Sequence, residues 1–219
     1  MKYAVWSLIL LAAVFGASCG DDGGGSGGVG IPAPPPSPPP SPPSPTVLFF
    51  DDFGSSSLDL LDGDKWNDSG ALVYVQHGTG NPGNAMCMQY YSTYPEPGVI
   101  TEPRFVWKDL TFTFDAKFFG TLYWEKFLCS MGYASIEVYS DHVETSVFLG
   151  TRSERKSRTL FYGSGWRTFK FTIDDQENFC WSVDGIVIHA GSGMPVVEMA
   201  VLFKTNSKVL IDNVKVTSP

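Results

Sequence analysis

Between Trp166 and Asp174 the chain reads Trp-Arg-Thr-Phe-Lys-Phe-Thr-Ile-Asp, an alternation of period two that sets Phe169, Phe171 and Ile173 against Lys170, Thr172 and Asp174. A β-strand with one buried face satisfies that pattern; a helix does not. Leu110, Phe112, Phe114 and Ala116 alternate in the same way with Thr111, Thr113 and Asp115. No stretch of eleven residues beyond residue 45 shows a convincing apolar stripe at i, i+3, i+4 and i+7, and Gly or Pro interrupts the chain every ten residues or so. Further strands are expected over residues 47–50, 71–76, 84–91, 98–107, 121–129, 133–139, 142–149, 158–162, 178–183, 186–190, 196–204 and 208–217. Asp184-Gly185 joins two of them and supplies the positive φ angles of a tight hairpin turn. So many strands without helices leave two antiparallel sheets packed face to face, or a barrel.

The N-terminus reads as an address. Met1-Lys2 precedes an apolar run over residues 3–15, too short for a permanent bilayer span and suited to a signal peptide. Gly16-Ala17-Ser18-Cys19 resembles the lipobox of bacterial lipoproteins, which implies a signal over residues 1–18 and acylation of Cys19; cleavage as an ordinary secretory signal is the other reading. Gly20 after the cysteine implies the outer membrane if the organism is Gram-negative. Residues 19–45 are linker, Gly-rich and flexible at first, then Pro-rich and extended. The globular domain is expected over residues 46–219, held clear of the membrane in the cell envelope.

Asp51-Asp52-Phe53, Leu58-Asp59, Lys65-Trp66, Gly165-Trp166-Arg167-Thr168-Phe169, Val183-Asp184-Gly185 and Ile211-Asp212-Asn213-Val214-Lys215-Val216 occur in that order. Their order and spacing resemble the concanavalin A-like lectin/glucanase superfamily, laminin-G-like modules included. The resemblance implies an all-β, two-sheet antiparallel jelly-roll sandwich with one concave sheet able to hold a glycan. It does not choose among lectins, glycoside hydrolases and polysaccharide lyases. It also implies a structural calcium bound by Asp212 with main-chain oxygens, with Gly83 as the early glycine of that site.

The laminarinase-like string Glu-x-Asp-x-x-Glu is absent. Ser140-Asp141 reads as a hairpin turn, which would pair Tyr139 with His142, Val138 with Val143 and Glu137 with Glu144. Two carboxylates would then face each other across neighbouring strands, a costly arrangement without a cation, an arginine or a shared proton. Glu137, Tyr139, His142 and Glu144 are therefore candidate ligand-binding residues, with Ser135 and Ser146 on the same face. Glu137 and Glu144 are also candidates for the acid/base and nucleophile of a retaining glycosidase; a pair splayed into water is the third reading. Tyr123 and Trp124, after Gly120, are candidates for a sugar-stacking platform. The run Arg152–Arg158 reads as a solvated loop able to touch acidic glycans.

Hydrophobic residues make up 43% of the chain, enough for a core, and the net charge of −8 argues against nucleic acid as a partner. Cys87, Cys129 and Cys180 allow one disulfide or three buried thiols. The expected function is that of a lipid-anchored surface protein binding carbohydrate or another surface polymer without cleaving it. Glycan hydrolysis or lysis, and a structural or protein-binding role, are the alternatives.

Overall fold

The computed structural model describes residues 37–38, 44–54, 60–68, 72–90, 96–119, 126–160 and 165–219. Two units divide the chain, Met1–Ser41 and Pro42–Pro219, and every strand among the described residues belongs to the second. Cys19 lies outside the described residues, as do Tyr123 and Trp124.

The described residues form strands and no helix. In chain order the first nine strands are β1 (Thr46–Asp51), β2 (Trp66–Asp68), β3 (Val73–Gly80), β4 (Gly83–Gln89), β5 (Gly98–Thr101), β6 (Phe105–Val106), β7 (Leu110–Phe118), β8 (Phe127–Met131) and β9 (Ala134–Val138). Then come β10 (His142–Phe148), β11 (Ser153–Thr159), β12 (Arg167–Ile173), β13 (Asn178–Val183), β14 (Ile186–Ser192), β15 (Glu198–Met199), β16 (Leu202–Thr205) and β17 (Lys208–Ser218). One sheet runs β14-β13-β12-β7-β17-β4-β3, with β1 also on β17; the other runs β11-β10-β9-β8-β16-β5-β2; β15 and β6 form a small ribbon. Every pairing is antiparallel, and the fold is an all-β jelly-roll sandwich.

The alternation of β7 and β12 decides the core. Phe112, Phe114, Phe169 and Phe171 are fully buried between the sheets, while Thr113 and Lys170 point outward. Phe203 and Phe127 of the other sheet meet them: the Phe114 ring lies 5.2 Å from Phe203 and 6.0 Å from Phe127. Asp51, itself buried, ties together two separate pieces of the sequence. Trp66 Nε1 donates to its Oδ2 at 2.7 Å, the Phe53 amide donates to Oδ1 at 2.9 Å, and Lys65 Nζ lies 3.5 Å away. A buried carboxylate needs such partners, so Asp51, Lys65 and Trp66 act as a set.

The Asp184-Gly185 turn has positive φ at both residues, 49° and 77°, as its type requires. Three expectations need correction. Residues 98–107 are not one strand: β5 ends at Thr101, just before Pro103, which has no amide to donate, and β6 starts two residues after that proline. Residues 196–204 are not one strand either, because β15 pairs with β6 in the small ribbon while β16 pairs with β5 and β8 in the seven-stranded sheet. The basic run is not a loop, because Ser153–Thr159 pairs along its whole length with β10 as an edge strand. Arg and Lys on an edge discourage a further strand from adding there.

Candidate functional site

The β9–β10 hairpin builds the site. Ser140 and Asp141 form its bend, the Tyr139 amide donates to His142 O at 2.9 Å, and Val138 faces Val143, Glu137 faces Glu144, and Ser135 faces Ser146. This is the register the sequence predicts. Ile136, Val138, Val143 and Val147 are buried, so Ser135, Glu137, Tyr139, His142, Glu144 and Ser146 share the solvent face of the seven-stranded sheet.

Each carboxylate of the facing pair has its own partner. Tyr139 donates its hydroxyl to Glu137 Oε2 at 2.5 Å, and Lys126 Nζ lies 3.9 Å from the same oxygen. His142 Nε2 lies 3.6 Å from Glu144 Oε1, and its Nδ1 is 2.6 Å from Asp141 Oδ1. The Tyr139 and His142 rings stack at 4.5 Å and 3°. Burial first, then the hydrogen bond to Glu137 and the charges of Glu137 and Glu144, hold the Tyr139 hydroxyl well above the ordinary phenol value. At neutral pH it is therefore a donor and not a base.

Register extends the site beyond the hairpin. Ser130, Ser135 and Ser146 lie directly opposite one another on β8, β9 and β10, in line with Leu202 on one side and Arg155 on the other. A parallel row carries Lys204, Leu128, Glu137, Glu144 and Ser157. On the far side of the serines, Tyr133 and Phe148 continue the pairing, with the Phe148 amide donating to Tyr133 O at 2.8 Å and the rings 5.1 Å apart. The face thus has a floor of small hydroxyls, a carboxylate wall and an aromatic wall. Sequence reasoning missed Ser130, Tyr133 and Phe148, and it placed Arg155 in a loop that touches acidic glycans rather than on a strand of this sheet. Stepping by two from Glu137 and Glu144 reaches Tyr133 and Phe148, so the signal for those two was present.

Asp212 occupies a different place, on the eight-stranded sheet. It sits at an irregularity of β17, between the stretch paired with β4 and the stretch paired with β1. Its fully buried carboxylate accepts the Asn81 amide on Oδ2 and the Asn213 amide, at 2.7 Å, on Oδ1. Burial pushes its pKa up to about 6; the two amides oppose this, and Asp115 and Asp52 add to it. Gly80 rather than Gly83 touches it: a Cβ on Gly80 would stand 2.0 Å from Asn84 O and 2.8 Å from Asp212 Oδ2, whereas one on Gly83 would meet nothing within 4 Å. The donor set is oxygen only and negatively charged, which fits a hard cation such as calcium. Among the described residues no three His, Cys, Asp or Glu side chains gather as a metal cluster, so carbonyl oxygens and water would complete the shell. Cys87 and Cys129 are buried free thiols and Cys180 a half-buried one, and burial raises the pKa of all three, which favours the protonated thiol.

No protein-family model matches the chain, and no curated protein matches it in sequence. Similar solved structures include the binding domain of Paraclostridial Mosquitocidal Protein 1, 13% identical with a TM-score of 0.58, over 78% of this chain and 48% of that one. A GlcNAcα1-4Gal-releasing endo-β-galactosidase from Clostridium perfringens is 12% identical with a TM-score of 0.61, over 84% and 65%. A β-1,3-glucanase from Mycobacterium marinum is 15% identical with a TM-score of 0.61, over 78% and 98%. The chain spans about half the length of the first and just under two thirds of the second. At these identities the likeness is one of fold, and the two enzymes are glycoside hydrolases of the jelly-roll type.

Proposed function

We propose that the solvent face of the seven-stranded sheet binds a carbohydrate chain without cleaving it. The observation that carries this reading is the Glu137–Glu144 pair, in which each carboxylate is already matched by a neighbour, Glu137 by Tyr139 and Lys126 and Glu144 by His142. Groups so arranged accept hydrogen bonds from sugar hydroxyls while the serine floor and the Tyr133 ring offer donors and an apolar surface. The carbohydrate-active enzymes among the similar structures support the same ligand class. Hydrolysis is the second reading, favoured by the direct opposition of two glutamates, because retaining glycosidases hold their carboxyl groups about 5 Å apart. Purified protein on a glycan array, followed by an assay for new reducing ends on every hit, separates the two. Binding without product is expected, and Glu137→Gln and Glu144→Gln, which keep an acceptor but lose its charge, should each weaken it by about five- to tenfold, the worth of one ordinary hydrogen bond. Product formation that both variants abolish would replace binding by hydrolysis.

Two other residues extend this function. Cys19 carries lipid and holds the domain in the cell envelope; this is supported by the sequence Gly16-Ala17-Ser18-Cys19 and the linker behind it. Asp212, with main-chain oxygens around Gly80 and Asn84, holds a calcium that offsets the charge shared with Asp115 and Asp52. Calcium at 100 times its dissociation constant should stabilise the fold by about 2.7 kcal/mol. Thermal melts with calcium and with a chelator read that directly. Asp212→Asn should melt at the same temperature in both, and a shift that persists in this variant would rule the site out.

A further inference from the structure

We propose that the glycan this face selects is acidic, its uronate carboxylates held by Arg155 and Lys204. This rests on the face binding carbohydrate, and goes beyond it by naming the ligand's charge and the residues that read it.

The charges on this face do not balance locally. Every acidic group of the β9–β10 hairpin has a cationic, titratable or hydroxyl partner close by: Lys126 and Tyr139 for Glu137, His142 for Glu144 and Asp141. The cations at the two ends of the rows do not. Arg155 on β11 and Lys204 on β16 are exposed, and among the described residues neither side chain makes a hydrogen bond or an ion pair. Arg155 does feel the hairpin, since its charge acts on Tyr139. The protein as a whole carries a net charge of −8, yet the two charged side chains on this face without a partner of their own are both cations. An unpartnered cation at each end of the face offers an anion a contact that the acidic groups do not.

Register gives the span. Lys204 pairs across to Leu128, Leu128 to Glu137, Glu137 to Glu144, and β11 follows, carrying Arg155 opposite Ser146. Arg155 and Lys204 therefore lie four strands apart, about 19 Å at the usual spacing between strands. That length holds several sugar rings and not one, so the ligand is a chain laid across the strands over Ser130, Ser135 and Ser146. Tyr133 and Phe148 border it on one side, and Glu137 and Glu144 on the other. A guanidinium meets a carboxylate in a planar, two-point contact, which makes Arg155 the stronger reader of the two.

The test uses the full chain and matched polymers. Polygalacturonate and its carboxyl-reduced, neutral counterpart share a backbone; sulfated carrageenan and its desulfated form make a second pair. Affinities are measured at low and at physiological salt. Polygalacturonate should bind at least tenfold more tightly than its neutral partner, with a preference that shrinks as salt screens the contacts. Arg155→Gln should cut the preference several-fold, and Arg155→Gln with Lys204→Gln should abolish it. Equal affinity for the polygalacturonate pair, or a preference that survives the double variant, overturns the proposal and leaves the carbohydrate reading standing. A preference confined to the sulfated pair overturns the carboxylate assignment. Failure of all four polymers to bind overturns this proposal, whereas the carbohydrate reading falls only if the wider array is silent too.

Discussion

Phe203→Ala is expected to destabilise the domain by about 3–5 kcal/mol, the range for deleting a buried phenyl ring and leaving a cavity. The contacts of the ring account for that figure. Phe203 comes from β16 of the seven-stranded sheet and is fully buried, with ring centroids 5.2 Å from Phe114, 5.8 Å from Phe127, 6.2 Å from Trp66 and 6.4 Å from Phe112. Phe112 and Phe114 belong to β7 of the opposite sheet, so the ring fastens one sheet to the other. Its neighbours sit in close-packed strands that cannot collapse onto the gap. At about 2–4 °C per kcal/mol for a domain of this size, the melting temperature should fall by about 6–20 °C. Leu202→Ala, one residue earlier on the outer face and half-buried, is the comparison and should cost under 1 kcal/mol. Calorimetry on both checks the pair; equal losses would mean that Phe203 is not a fastening point.

The same alternation that makes Phe203 central made much of the fold legible. Where one face of a strand is buried, apolar and polar residues must alternate, and β7 and β12 could be recognised as strands from that alone, while the β9–β10 pairing needed the Ser140-Asp141 turn as well. The signal fails where burial fails. Ser153–Thr159 shows no apolar residue at all, because β11 lies at a sheet edge and is defined by hydrogen bonding to β10. A solvated loop and a polar edge strand have the same composition, so Arg155 could not be assigned a direction before its pairing with Ser146 was known. The candidate site divides along the same line. Glu137 opposite Glu144 follows from one turn and a period of two. The straight row of Ser130, Ser135, Ser146 and Arg155 depends on how four strands are offset against one another, and no single stretch of sequence encodes that offset.

Stability should fall as the pH drops below about 6.5, and His189 should account for much of the slope. The imidazole on β14 is fully buried at the edge of the sandwich, its ring 5.1 Å from Phe179 on β13. Its Nδ1 lies 3.0 Å from Thr145 Oγ1 on β10, and that hydroxyl also reaches Lys156 O at 3.3 Å. With the hydroxyl proton given to Lys156 O, Nδ1 carries the ring hydrogen. Nε2 has no hydrogen-bond partner and stands 3.7 Å from Glu154 Oε2 on β11. Burial holds the His189 pKa below its ordinary value, Glu154 pulls it back up, and Lys156 pushes it down again. Burial wins, so the folded state binds the proton less readily than the unfolded chain does. The stabilisation from a neutral His189 is present in full above the unfolded pKa of about 6.5 and is lost as the pH falls below it, at up to about 1.4 kcal/mol per pH unit. His189→Gln keeps a side chain that can bond to Thr145 and cannot take the proton. Denaturant unfolding of both proteins from pH 7.5 to pH 5 gives two curves, and their difference cancels every other titrating group, Asp212 included. That difference should be flat above pH 6.5 and narrow steadily below it; parallel curves throughout would show that the proton does not go to His189.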